Sequence, residues 1–339
     1  MAAVELLYWF VLLQVFLGGN VSFSDGGGPR SESGQQYYAA VFLNRSHVSV
    51  GASANIGLFR RDGDSTWANI YRPNLYTFGI GLWKRGSTRR YYVAGGNGLH
   101  RSDDAMKSWR VLTDWRTEEI LSVAPDPVDS ALLFVSTPWG VFRSTDDGKS
   151  WQRAMRGMKK NYVQKVVIDR SDRRTLYACV EDDLYRSTDQ GEHWTALHAG
   201  VRDVMNVLQH PLNPQHLLVG TEDHGVRVST DGGMSWSSGG GLPNTAFYGL
   251  AVSSDGKTLY AGGYLTGLWK STDGGATWSL LWQHELLEAI YTVFVDPADP
   301  HHLMVGTSGQ GIFESYDEGR SWKHAGLRGC HVKQIELYP

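Results

Sequence analysis

Cysteine is nearly absent from this chain: 339 residues contain two, Cys179 and Cys330. Two distant thiols make no disulfide framework, and no C-x-x-C pair supplies zinc spacing, so both are expected to be free. Charge of one sign is equally scarce. Lys and Arg number 32 against 35 Asp and Glu, giving a net charge of −3 with no long run of either sign. Such a balance gives neither nucleic acid nor an anionic membrane surface an electrostatic foothold. Long apolar runs are also missing. The one apolar block, Leu6 to Leu17, has 12 residues, short of the roughly 20 that a spanning helix needs.

That block reads as the hydrophobic part of a signal peptide over residues 1–24, followed by Gly18-Gly19 and a small polar stretch. No Lys or Arg precedes it and Glu5 does, so retention of residues 2–19 as an uncleaved anchor stays open beside cleavage. Both alternatives place the rest of the chain outside the cytoplasm, secreted, periplasmic or otherwise exported. They confine membrane contact to this segment. Residues 25–35 (DGGGPRSESGQ) read as a flexible polar linker.

What the chain has in abundance is glycine, 40 residues, with 13 Trp and 16 Tyr, a composition that suits a β-rich globular protein. It also has a repeat. The pattern S-T-D-G-G-x-[ST]-W is complete at Ser271 to Trp278, returns at Ser144–Trp151, Ser187–Trp194, Ser229–Trp236 and Ser315–Trp322, and survives in worn form before Trp109 and Trp67. The tryptophans at 67, 109, 151, 194, 236, 278 and 322 are separated by 42, 42, 43, 42, 42 and 44 residues. A fixed period of this size marks a repeat architecture, in which each unit buries its apolar face only against its neighbours. Seven units are expected to close into a ring.

Each copy lies between short apolar runs, so it reads as a hairpin turn between strands. Its Asp accepts hydrogen bonds from nearby backbone N–H groups, its Gly supplies positive φ, and its Trp offers an apolar plate to a neighbouring sheet. In the sixth unit the expected strands are Tyr248–Ser253, Thr258–Gly262, Gly267–Ser271 and Trp278–Trp282. The expected fold is therefore all-β: a seven-bladed propeller of four-stranded antiparallel blades over residues 36–339. The end of the chain, His331 to Tyr338, reads as an inner strand returning to the first blade, in competition with Tyr37 to Leu43 for the same place.

These turns resemble Asp-box, or BNR, repeats, found in sialidases, sortilin-type receptors, xyloglucan-degrading hydrolases and photosystem II assembly factors. The resemblance covers roughly residues 36 to 339 and implies a propeller. It implies a structural role for Asp146, Asp189, Asp231, Asp273 and Asp317, on a face away from catalysis or binding. No particular reaction follows from it.

Function is therefore expected on the opposite, open rim, built from second-to-third-strand loops and blade-to-blade connections. Candidate binding residues there are Tyr71, Arg72, Trp115, Arg116, Trp139, Lys160, Tyr162, Asp182, Arg202, Asp223, His224, Phe247, Tyr248, Tyr264 and Tyr291. Aromatics beside Arg favour recognition. The bland alternative is that the aromatics pack between blades while the charges are solvated.

The expected function is non-catalytic binding of a protein or glycan, with an accessory role in a membrane or surface assembly as one form of it. A carbohydrate-active hydrolase is the second reading. Sialidases carry an arginine motif before the first box, whereas Tyr71-Arg72-Pro73 follows it here, and they have six blades. Xyloglucanases work across two propellers and this repeat supplies one. Asp182, Asp223, Glu285 and Glu288 remain as rim carboxylates for a glycosidase pair. A third reading follows the photosystem assembly factors, whose G-W-A-V-G second strand is replaced here by Tyr260-Ala261-Gly262-Gly263. No metal or cofactor is implied: Gly309-Gln310-Gly311 has no following helix, and His301-His302 has no further ligands at metal spacing.

Overall fold

A computed structural model describes residues 36–44, 56–71, 76–114 and 119–338. The leader and linker expected over 1–24 and 25–35 lie outside the described residues. Among those described, no helix is long and apolar enough to cross a membrane.

The strands form seven antiparallel four-stranded sheets arranged as the blades of a propeller. Blade 2 runs outward through Thr77–Arg85, Thr88–Gly95, Gly98–Ser102 and Arg110–Val111. Blade 3 follows with Ser122–Pro125, Leu133–Thr137, Gly140–Ser144 and Gln152–Arg153. Blade 4 is Val163–Ile168, Leu176–Val180, Leu184–Ser187 and Thr195–Ala196. Blade 5 is Val204–Gln209, Leu217–Thr221, Val226–Ser229 and Ser237–Ser238. Blade 6 is Phe247–Val252, Leu259–Gly263, Leu268–Ser271 and Ser279–Trp282. Blade 7 is Ile290–Val295, Leu303–Thr307, Ile312–Ser315 and Lys323–His324.

Blade 1 is assembled from both ends of the described chain. Cys330–Tyr338 is its innermost strand, and Gln36–Asn44, Gly57–Arg61 and Trp67–Tyr71 follow outward. The two segments expected to compete for one position are thus neighbours, pairing from Gln36 opposite Tyr338 to Asn44 opposite Cys330. This pairing removes the open edges at which a ring of sheets would otherwise fail.

Second strands such as LYACV, LLVGT and LMVGT are buried along their whole length. They read as continuous apolar runs because both faces of the sheet are covered by neighbouring blades. The core is accordingly divided into seven clusters, each joining adjacent blades. Cys179 and Cys330 lie inside this core and neither forms a disulfide.

The repeated acidic turns link the third and fourth strands. In blade 6, Ser271 Oγ donates to Asp273 Oδ1 at 2.8 Å, and the Gly275 N–H donates to Ser271 Oγ at 2.9 Å. The Thr277 N–H and hydroxyl both donate to the same carboxylate. Led by the Thr277 hydroxyl, these bonds hold Asp273 down at about 2. Asp146, Asp189, Asp231 and Asp317 accept equivalent bonds from Ser150, His193, Ser235 and Ser321. The closing Trp ties blades together in four cases: Trp67, Trp151, Trp194 and Trp236 donate Nε1–H to Ala325, Leu112, Ala154 and Leu197 of the preceding blade. Trp278 and Trp322 instead donate within their own turns.

The acidic turns share a rim with the first-to-second-strand corners. Backbone N–H groups of Asp147, Gln190, Gly232 and Glu318 donate to carbonyls of Ala131, Arg174, Gln215 and His301. The opposite rim carries the second-to-third-strand loops and the blade-to-blade connections.

Candidate binding face

The innermost strands break their pairing near the open rim. Thr77 faces Gly95 and Gly79 faces Ala94, which leaves Phe78 as an extra residue. The same slip isolates Gln164, Met205, Tyr248, Tyr291 and, on the returning C-terminal strand, Lys333. A β-bulge rotates the side chain it inserts out of the regular alternation. Six blades therefore place a bulged residue at equivalent positions around the axial mouth.

On the side of blades 5, 6, 7 and 1 these residues touch. The Tyr248 and Tyr291 rings lie 5.4 Å apart, and Lys333 Nζ sits 3.7 Å from the Tyr291 centroid and 5.4 Å from that of Phe42. Phe42 continues the wall to Tyr76 and Phe78 at 4.9 and 5.1 Å. Burial pushes the Lys333 amine down to about 8, against a smaller opposing pull from Glu222. Tyr248 donates its hydroxyl to Glu222 at 3.5 Å.

Carboxylates crowd the neighbouring sector. The Asp203 N–H donates to the Glu181 carbonyl and the Glu222 N–H to the Asp203 carbonyl, so three acidic loop residues follow one another across blades 4 and 5. Burial raises Asp203, and the charges of Asp223 and Glu181 raise it further against Arg202. Glu222 is raised by burial and by Asp203, with the Tyr248 bond and Lys333 opposing. Deeper in the channel, Lys165 donates to Asn206 Oδ1 at 2.8 Å, and Asn206 donates to the Tyr248 carbonyl. Lys165 of blade 4 also feels Glu336 of blade 1, so charges meet across the axis.

The candidates named from sequence divide into groups. Tyr248, Tyr264 and Tyr291 come together beside the mouth: Tyr264 bridges to Ala289 and remains 38 % exposed. Asp182, Arg202 and His224 line a cavity of about 270 Å³ with Asp183, His198 and Val201. Asp223 pairs with His224, and the Tyr185 hydroxyl donates to Asp182 at 2.8 Å. Lys160 pairs with Glu181 at 3.1 Å, and Tyr162 donates to Gln164. Trp139, half exposed, stands apart on blade 3.

Two candidates belong to the interior instead. Phe247 is fully buried between blades 5 and 6, because the bulge that turns Tyr248 outward leaves its neighbour facing the sheet interface. Tyr71 stacks on Trp109 at 4.3 Å and bonds His100 at 2.7 Å, filling the gap between blades 1 and 2. Arg72, Trp115 and Arg116 lie outside the described residues.

Lys333, Phe42, Phe78 and Asp203 were not anticipated from sequence, and the bulge that aims Lys333 and Phe78 leaves no mark in residue type. Among the described residues no group of His, Cys, Asp and Glu could hold a metal ion. A second cavity, of about 590 Å³ with Arg186, Arg227, Met234 and Trp236 in its wall, lies between the outer parts of blades 4 and 5 and shares His198 and Gly200 with the first.

Comparison with known proteins finds relatives of the fold. The family described as Sortilin, neurotensin receptor 3, matches residues 139–240. Among curated proteins none matches the sequence. Of solved structures, a GH74 enzyme of Niastella koreensis is similar with a TM-score of 0.58 and 20 % identity, over 73 % of this chain and 44 % of that one. The extracellular domain of a putative one-component system of B. thetaiotaomicron gives 0.62 and 17 %, over 82 % and 38 %. YCF48 bound to D1 peptide gives 0.57 and 14 %, over 77 % and 91 %. At such identities the likeness establishes the fold alone, and this chain spans less than half of the first two proteins.

Proposed function

We propose that this chain is a non-catalytic, extracytoplasmic binding module that captures a protein partner on the open rim around the axial mouth. The observation that carries the reading is the set of bulges that turn Tyr248, Tyr291, Lys333 and Phe78 to equivalent positions there. Regular pairing would have sent these side chains to the sheet interfaces. Large aromatics with polar tips beside a cation suit recognition. The acidic turns, in this reading, are Asp boxes that staple the opposite rim. The propeller then follows an exported leader over 1–24, cleaved or kept as an anchor, and a linker over 25–35. A peptide-bound propeller and an extracellular sensor domain among similar folds support a binding role and an exported location by analogy.

One observation favours a second reading, glycan binding or glycoside hydrolysis. Burial raises both Asp203 and Glu222, and the charges of neighbouring carboxylates, Asp223 and Glu181 for the first and Asp203 for the second, raise them further, as for a general acid. Sugar release from a sialoside and β-glucan panel, lost in Glu222→Gln, would establish it.

Native mass spectrometry of the protein drawn gently from its source tests the main reading. A stoichiometric protein partner is expected, lost with Tyr248→Ala and Tyr291→Ala and kept with Arg320→Ala on the opposite rim. Equal capture by the wild type and both tyrosine variants would overturn it.

A further inference from the structure

The sector of the open rim between Glu222 and Leu286 is continuous. Tyr248 reaches Glu222 at 3.5 Å, Tyr264 N–H donates to the Ala246 carbonyl at 2.8 Å, and Leu265 N–H donates to the Glu288 carbonyl at 2.7 Å. Across this surface two leucines stand in water: Leu265 is 61 % and Leu286 58 % exposed. Leu265 is also held at φ +53°, a left-handed conformation that costs a residue with a side chain about 1–2 kcal/mol. Neither the exposure nor the strain is repaid by packing within the chain. An apolar side chain kept outward at such cost fits a surface that is covered by something else.

The charges beside it say what that something carries. Glu222, Asp203, Asp223 and Glu181 lie together at blades 4 and 5, opposed by Arg202, by Lys160 on Glu181 and by Lys333 in its aromatic slot. The negative charge is in excess, since four carboxylates face three cations. A sugar would use the tyrosine faces and the carboxylates but would gain nothing from exposed leucines. A polypeptide with apolar and basic side chains satisfies both.

We infer that the blade 5 to blade 7 sector of the open rim docks an extended polypeptide segment in which basic and apolar side chains are neighbours. The inference rests on the reading of the open rim as the capture face and adds the chemistry of the partner. The apolar side chains cover Leu265, Leu286 and Tyr264, and the basic ones neutralise Glu222, Asp203 and Asp223. Docking of a cation beside Asp203 and Glu222 lowers both carboxyls, so binding releases protons and strengthens as pH rises through their range.

The test uses the full chain and short labelled peptides followed by fluorescence anisotropy: one alternating Arg and Leu, one Glu and Leu, and one Arg and Ser. The Arg-Leu peptide is expected to bind at least about tenfold more tightly than either control. The double variants Leu265→Ser with Leu286→Ser, and Asp203→Asn with Glu222→Gln, each weaken it by about tenfold while the melting temperature holds. Equal binding of the Glu-Leu peptide, or full affinity in both double variants, would overturn the inference. Competition separates this inference from the broader one. If the native partner needs Tyr248 and Tyr291 but is not displaced by the Arg-Leu peptide, the rim reading stands and this one fails. If the partner ignores the tyrosine variants, the rim reading fails.

Discussion

Lys333 rests its ammonium 3.7 Å from the centre of the Tyr291 ring, so a residue near the end of the chain and one from blade 7 form a single element of the axial mouth. Burial lowers the amine to about 8 while Glu222 pulls the other way. Acylation of the intact protein, followed across pH by mass spectrometry, is expected to give a midpoint for Lys333 near 8, against about 10.4 for an ordinary lysine. Glu222→Gln removes a charge that favours the ammonium, so the midpoint moves lower still. An upward move would show that Glu222 does not face the amine.

At the other end of the seam between blades 7 and 1, Arg61 donates to both oxygens of the fully buried Glu314, at 2.6 and 3.0 Å. His302 Nε2 and the Tyr316 hydroxyl each lie 2.8 Å from the same carboxylate. Burial alone would raise Glu314, and the bonds from His302 and Arg61 overcome it and hold the group at about 2. Glu314→Gln leaves a buried guanidinium without its carboxylate and is expected to cost about 3–5 kcal/mol by urea denaturation, whereas Arg61→Met with Glu314→Met costs far less. If the double variant loses as much as the single one, the pair does not act as a unit.

The same shift sets an acid window. A carboxyl lowered on folding stabilises the native state above its unfolded value and loses that contribution as pH falls through its folded value. For Glu314 the loss falls between the ordinary glutamate value of about 4.3 and about 2. In the doubly substituted Met variant, the fall in melting temperature across this interval should be shallower than in the wild type.

The ring was legible because its devices are local. A turn of Ser, Asp, Gly and Trp carries its own hydrogen bonds, so Ser271 to Trp278 declares itself in any register. The mouth was not legible, because it depends on pairing between distant strands. Phe247 and Tyr248 are adjacent aromatics, and a one-residue slip against Gly262 and Gly263 sends one inward and the other to the rim. Lys333 is hidden by the same device, since its partner strand, Gln36–Asn44, is remote from it in sequence. Charge crowding at Asp203 and Glu222 likewise needs the loops of two blades brought together.

The worn turn of blade 2 keeps the geometry without the glycines. Ser102 Oγ donates to Asp104, and the Met106 N–H donates to Ser102 Oγ, yet Ala105 and Met106 hold φ of +57° and +68°. Ala105 is exposed and makes little packing. Ala105→Gly removes the left-handed penalty and is expected to raise stability by about 0.5–1 kcal/mol, read from the urea midpoint. A lower midpoint would mean that the extra freedom of glycine in the unfolded chain outweighs the relief.

Closure by the C-terminal strand predicts a dependence that can be restored from outside. Cys330–Tyr338 supplies Val332 and Ile335 to the core between blades 7 and 1, and Tyr338 to that between blades 1 and 2. A chain ending at Gly329 lacks the innermost strand of blade 1 and exposes both clusters together with the inner edge of Gln36–Asn44. Its thermal unfolding, followed by circular dichroism, should occur at a lower temperature and over a broader range. A synthetic peptide covering residues 330–339 pairs with that edge, so adding it should raise and sharpen the transition until the site saturates. Closure by this strand is refuted if the shortened chain melts like the full one.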